Sequence, residues 1–199
     1  MAVNAELVKQ LREQSGAGIL DCKKALDETG GDLAKAAELL RQRNQAVAAK
    51  KQSREAKDGK VASYIHGDGR IGVLVEVNSE TDFVARSDMF AEFVKEVCLQ
   101  IAAMNPKFVS RDDVAPEELE RLREAFKAEA LAAGKPPQVA EKIVEGKLAK
   151  WCADSCLLDQ TYIRDETRKV KDLLTEVIGR CGENVKVSRF VRYALGGAS

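Results

Sequence analysis

Two runs, Val61-Ala62-Ser63-Tyr64-Ile65-His66 and Arg70-Ile71-Gly72-Val73-Leu74-Val75-Glu76-Val77, flank Gly67-Asp68-Gly69. A three-residue connection containing glycine between two such runs reads as a β-hairpin. A lone hairpin buries too little to be stable in water. The next segment with comparable β-branched and aromatic content is Val185 to Leu195, so the sheet is expected to close by a pairing across most of the chain. What lies between reads as helical. Met89, Phe90, Phe93, Val94, Val97, Cys98, Ile101 and Ala102 keep the three-four spacing of a helix with one buried face. Pro116 to Ala133 and Pro137 to Leu158 read as two more helices separated by Gly134-Lys135-Pro136, and Thr167 to Cys181 as the last, ended by Gly182. Trp151 is expected to anchor the core. The fold class is α+β, a small antiparallel sheet packed by helices.

Ahead of the hairpin the pattern differs. Leu7, Val8 and Leu11 repeat at helical spacing until Ser15-Gly16-Ala17-Gly18 interrupts them. Ile19, Leu20, Cys22, Ala25 and Leu26 form a second stripe that stops at Thr29-Gly30-Gly31. Asp32 is placed to cap a third helix carrying Leu33, Ala36, Ala37 and Leu40 on one face. From Arg41 to Lys60 seven basic residues face only Glu55 and Asp58, with almost no large apolar side chain. The expected organisation is a three-helix module over residues 1–45, a basic linker over 46–59, and an α+β core domain over 60–199. The linker reads either as a solvated tether or as a contact for an acidic partner. It carries no aromatic residue on which a base could stack, which leaves RNA binding the weakest option.

The remaining chemistry is sparse. Thirty-two basic and 32 acidic residues cancel, so no global field draws the chain onto nucleic acid or an anionic membrane. No apolar stretch reaches the length of a membrane span, and Met1 to Leu20 lacks the order of a signal peptide, so a soluble cytoplasmic protein is expected. The five cysteines are odd in number and scattered, unlike a disulfide framework. Cys152 and Cys156 share a helical face, but zinc needs four ligands and the single histidine, His66, is far away in sequence. They read as buried thiols, and His66 as a hairpin-edge residue bonded locally. No phosphate loop, nucleophile elbow or metalloprotease helix is present, and neither a catalytic residue nor a cofactor or metal is expected.

Between the second strand and the long helix stands Asn78-Ser79-Glu80-Thr81-Asp82-Phe83-Val84-Ala85-Arg86. A strand-to-helix junction runs over the surface and can present side chains to a partner. Asp82 and Phe83, exposed together, could pair with a cation or helix N-terminus while wedging into an apolar seam. The blander reading, which spacing alone favours, is that Phe83 and Val84 dock in the domain's own core while Asp82 caps a short turn.

That nine-residue segment is very similar to the Asn-Cys-Glu-Thr-Asp-Phe-Val-Ala-Arg signature of the bacterial elongation factor Ts family, with Ser79 in place of the usual cysteine. Leu11 to Leu26, Glu141 to Leu148, and Gly182-Glu183-Asn184 leading into Arg189-Phe190 also resemble the family's motifs, in the right order over nearly the whole chain. The resemblance implies a guanine-nucleotide exchange factor for elongation factor Tu, with an N-terminal module similar to the ubiquitin-associated fold. It further implies that Thr81, Asp82, Phe83 and Val84 approach the partner's nucleotide site and help displace its magnesium ion. Longer members carry a second core repeat and a coiled-coil insertion, so this chain looks like the short form. A rival reading is a plain interaction module or scaffold that binds through the N-terminal helices, and another is a nucleic-acid chaperone using the basic segment. A homodimer is also expected. It would be built on the C-terminal strand, where Val187, Val191 and Tyr193 lie on one face and Phe190 on the other.

Overall fold

The computed structural model describes residues 4–197. Helices α1 (Ala5–Ser15), α2 (Ile19–Glu28) and α3 (Leu33–Lys51) come first, and the apolar stripes read from the sequence meet in one core of Leu11, Ala17, Cys22, Ala25, Leu26, Ala36 and Leu40. Asp32 caps α3 as expected, its Oδ1 accepting from the Lys35 backbone N–H at 3.0 Å. α3 does not stop near residue 45 but continues to Lys51, because Gln42 to Lys51 holds good helix formers and no glycine or proline.

β1 (Asp58–His66), β2 (Ile71–Ser79) and β5 (Val185–Ala194) form a three-stranded sheet with β2 in the centre. Leu195 N donates to Arg70 O at 2.8 Å, and Arg189 pairs with Glu76 in the same register, so β5 runs antiparallel to β2. Val73, Val75, Val77 and Ser79 form the buried face of β2. Gly59 adopts φ +137° where β1 passes β2, and a Cβ there would stand 2.1 Å from the Val77 carbonyl oxygen. Only glycine fits this crossing.

The four-residue α4 (Asp82–Ala85) follows β2 and leads into α5 (Asp88–Met104), whose Phe90, Phe93, Val94, Val97, Cys98, Ile101 and Ala102 are buried as their spacing predicts. α6 (Pro116–Ala132) and α7 (Pro137–Ser155) form a helical hairpin. α7 ends three residues before the expected Leu158, because Ser155 O accepts from Lys107 N and Phe108 N while Leu157 N turns to Phe108 O. Trp151 is half-buried, its ring 6.0 Å from Phe108 beside Val114, Cys152 and Cys156. The expected helix from Thr167 begins only at Val170 as α8 (Val170–Cys181), since its first residues belong to β4 (Asp165–Lys169), paired antiparallel with β3 (Thr161–Tyr162).

The chain divides into two compact units that its linear order does not follow. The first takes the described part of Met1–Lys60 with Val77–Phe93 and Asp172–Lys186; the second takes Val61–Glu76, Val94–Lys171 and the described part of Val187–Ser199. Within the first, α3 passes close to α8: a Cβ on Gly179 would lie 2.3 Å from Asn44 Oδ1. In the second, Gln100 Nε2 donates to Gln160 Oε1 and Thr161 O, its Oε1 accepts from Ile163 N, and Tyr162 donates to Glu96 at 2.7 Å. This buried network fixes the small β3–β4 hairpin, which could not stand by itself.

Candidate functional site

Thr81 opens α4 as its N-cap, with Oγ1 accepting from Val84 N at 3.4 Å. The turn is closed by Ala85 N to Thr81 O at 3.3 Å and Arg86 N to Asp82 O at 3.0 Å. Ser87 then ties it to the long helix, its hydroxyl donating to Val84 O and accepting from Phe90 N. Four residues make little more than one helical turn, so adjacent side chains point in very different directions. Val84 and Ala85 are buried at 6% and 3% exposure, whereas Phe83 is 82% exposed. The spacing-based alternative in which Phe83 docks in its own core is therefore wrong for Phe83 and right for Val84. Asp82 is exposed and pairs with Arg86 at 3.0 Å across one turn. Of the four residues predicted from the sequence, Thr81 caps, Val84 anchors, and Asp82 and Phe83 face solvent.

The supports of this turn come from elsewhere in the chain. Ser79 is fully buried, and its hydroxyl donates to Thr81 O at 2.9 Å. A hydroxyl thus serves the turn's backbone directly where the family signature usually has a thiol. Glu183 accepts from both Thr81 N at 3.1 Å and Thr81 Oγ1 at 2.8 Å. Its neighbour Asn184 donates its backbone N–H to Glu80 at 2.7 Å and its side-chain amide to Arg54 O at 2.7 Å. Arg54 in turn reaches Glu80 at 3.3 Å. The Asn184 N–H, aided by Arg54, holds the Glu80 carboxyl below its ordinary value. Sequence reasoning singled out Gly182-Glu183-Asn184 as a motif but gave it no role, and nothing local in the sequence joins it to Thr81.

The other candidates belong to the second unit. His66 sits at the end of β1, its Nδ1 2.9 Å from the Tyr64 hydroxyl, in the local bond expected of it. Cys152 and Cys156 are free, buried thiols, and burial with the adjacent Cys152 pushes Cys156 up to about 12. Among the described residues no group of His, Cys, Asp or Glu is arranged to hold a metal ion, and no helix is long and apolar enough to cross a membrane.

The family model described as Elongation factor TS matches residues 20–197. The chain belongs to the elongation factor Ts family. It is 56% identical over 194 residues to the elongation factor Ts of Thermoanaerobacter sp. (strain X514), covering 98% of this chain and 95% of that protein. Identity to the elongation factor Ts of Caldanaerobacter subterraneus subsp. tengcongensis is 54% over 194 residues, covering 98% and 97% of the two chains. The elongation factor Ts of Thermotoga petrophila is 52% identical over 196 residues, covering 98% of each. These relatives have nearly the length of this chain.

Proposed function

We propose that this elongation factor Ts promotes guanine-nucleotide exchange on elongation factor Tu through the α4 turn, with Phe83 as a wedge and Asp82 as its charged companion. The exposure of Phe83 carries the reading: 82% of a large aromatic side chain stands in solvent on a turn whose next two residues are buried. An aromatic held out at a fixed point contributes most when it enters a partner's apolar seam. Asp82, paired with its exposed neighbour Arg86, can exchange that partner for groups displaced in elongation factor Tu. Moving an element near the partner's magnesium ion disturbs an octahedral shell that tolerates little distortion, and the hold on GDP weakens.

The reaction is one of binding and breaks no covalent bond, so the protein acts as an exchange factor and not as an enzyme, without a cofactor. By linkage, a protein that weakens nucleotide binding by some factor is itself bound more weakly by the same factor when nucleotide is present. It therefore prefers the empty partner, and incoming GTP expels it. The working place is the cytoplasm. The three-helix module of residues 1–45 supplies a second contact, for which Ile19 and Leu20, 58% and 72% exposed at the start of α2, are the side chains offered. The basic linker, residues 46–59, and the core domain, residues 60–199, complete the proposed organisation.

A homodimer also fits the structure. On the sheet face away from Val73 and Val75, the side chains of Val61, Ile65, Leu74, Val191 and Tyr193 are exposed. Such a patch is commonly covered by association. Tyr193→Glu should then turn a dimer into a monomer in sedimentation equilibrium, and a wild-type chain sedimenting at 21.8 kDa would overturn the dimer. The exchange reading is tested by release of labelled GDP from elongation factor Tu. Wild-type protein should accelerate it strongly and Phe83→Ala only weakly, while equal rates would refute the role given to Phe83.

A further inference from the structure

We infer that Glu183 is a positioning residue for exchange, closing a capping box around Thr81 from a distant part of the chain. In an ordinary capping box the third helical residue is Glu or Gln and accepts the N-cap backbone N–H, while the N-cap side chain accepts from that third residue. α4 has only the second half of this arrangement. Thr81 Oγ1 accepts from Val84 N, but the third position is Val84, which is buried and has no acceptor to return. The Thr81 N–H goes instead to Glu183, 102 residues later, and the same carboxylate accepts a hydrogen bond from the Thr81 hydroxyl. Val84 can thus serve as the buried anchor because the capping carboxylate is supplied elsewhere.

The second strut is reciprocal. Glu183 holds Thr81 while Glu80 holds the backbone N–H of Asn184, so two adjacent residues in each segment exchange bonds. Asn184 is 6% exposed, and its amide is further fixed on Arg54 O. A helix of four residues cannot support itself, since its nucleation cost is not repaid by one or two internal bonds. Its direction, and with it that of Phe83, depends on what grips its first residue. The inference rests on the proposed role of Phe83 and identifies what keeps that side chain aimed.

The experiment measures GDP release from elongation factor Tu against exchange-factor concentration for the full-length wild type, Glu183→Ala, Glu183→Gln, Phe83→Ala and the double variant Phe83→Ala/Glu183→Ala. A hydrogen-bonded charged group is worth enough that Glu183→Ala should lower the maximal rate about tenfold. Its half-saturating concentration should stay within about threefold, because the rest of the interface is untouched. Glu183→Gln keeps one acceptor and should recover most of the loss. In the Phe83→Ala background Glu183→Ala should add less than about twofold, the non-additivity expected of residues acting as one. Wild-type rates for Glu183→Ala beside a slow Phe83→Ala would overturn this inference alone, as would a further tenfold loss when Glu183→Ala is added to Phe83→Ala. A wild-type rate for Phe83→Ala would overturn the reading on which it rests.

Discussion

Phe83 and Val84 are adjacent residues with opposite exposures, 82% and 6%, which makes the pair a test in which each variant controls for the other. Phe83→Ala removes a side chain that folding barely buries, so stability should change by less than about 0.5 kcal/mol. Val84→Ala removes two buried methyl groups, about 0.8 kcal/mol each in transfer plus a cavity contribution, or about 2 kcal/mol together. At 2–4 °C per kcal/mol for a chain of this size, the melting temperature should fall by about 4–8 °C for Val84→Ala and hardly at all for Phe83→Ala. Exchange should show the reverse order. An aromatic hot spot commonly contributes ~2–4 kcal/mol, so Phe83→Ala should slow catalysed GDP release by about 30- to 800-fold, whereas folded Val84→Ala should lose far less. Scanning calorimetry and stopped-flow release of labelled GDP at 20 °C, below either transition, read the two quantities. If Phe83→Ala melts several degrees low while exchanging at the normal rate, the assignment of wedge and anchor is refuted.

Gly59→Ala should destabilise the protein by at least about 2 kcal/mol in urea unfolding, because both the left-handed backbone and the Val77 carbonyl oppose a methyl group there; a change below 0.5 kcal/mol would contradict the tight crossing. Glu80 is held below its ordinary carboxylate value, so its contribution to stability is complete above about pH 4.3 and disappears as pH falls through the lower folded value. Glu80→Gln should accordingly lose less stability than wild type between about pH 5 and 3, and parallel curves would refute the linkage. Burial pushes the Cys98 thiol up to about 11 and Cys156 up to about 12, so both should resist Ellman's reagent at pH 8 in the native protein and react at once in guanidinium.

Long periodic elements were legible in the sequence. The face of α5 repeats its spacing over enough residues to identify both type and orientation, and the glycine connection between β1 and β2 identifies their hairpin. β3 and β4, with two and five residues, show no period, and they are held by Gln100 and Gln160, whose partnership lies in no local window. The start of α8 was misread for the same reason: Thr167 to Lys169 are acceptable in a helix, and only the pairing of Thr161 with Lys169 assigns them to a strand. At the site, the signature located Thr81 to Val84, but a single turn is too short for spacing to tell which side chain enters the core. The carboxylate of Glu183 was invisible because a capping partner is ordinarily sought three residues away.

The grip of Glu183 on Thr81 also imposes an order in time. During synthesis Thr81 leaves the ribosome long before Glu183, since 102 residues separate them. Until the later segment emerges, the N-terminal helices can form from local contacts while the exchange turn still lacks its cap. An incomplete nascent chain would therefore present a recognisable docking module with an unaimed wedge. On the proposed mechanism, the wedge would gain its aim only once the Glu183 segment had emerged and folded back onto Thr81.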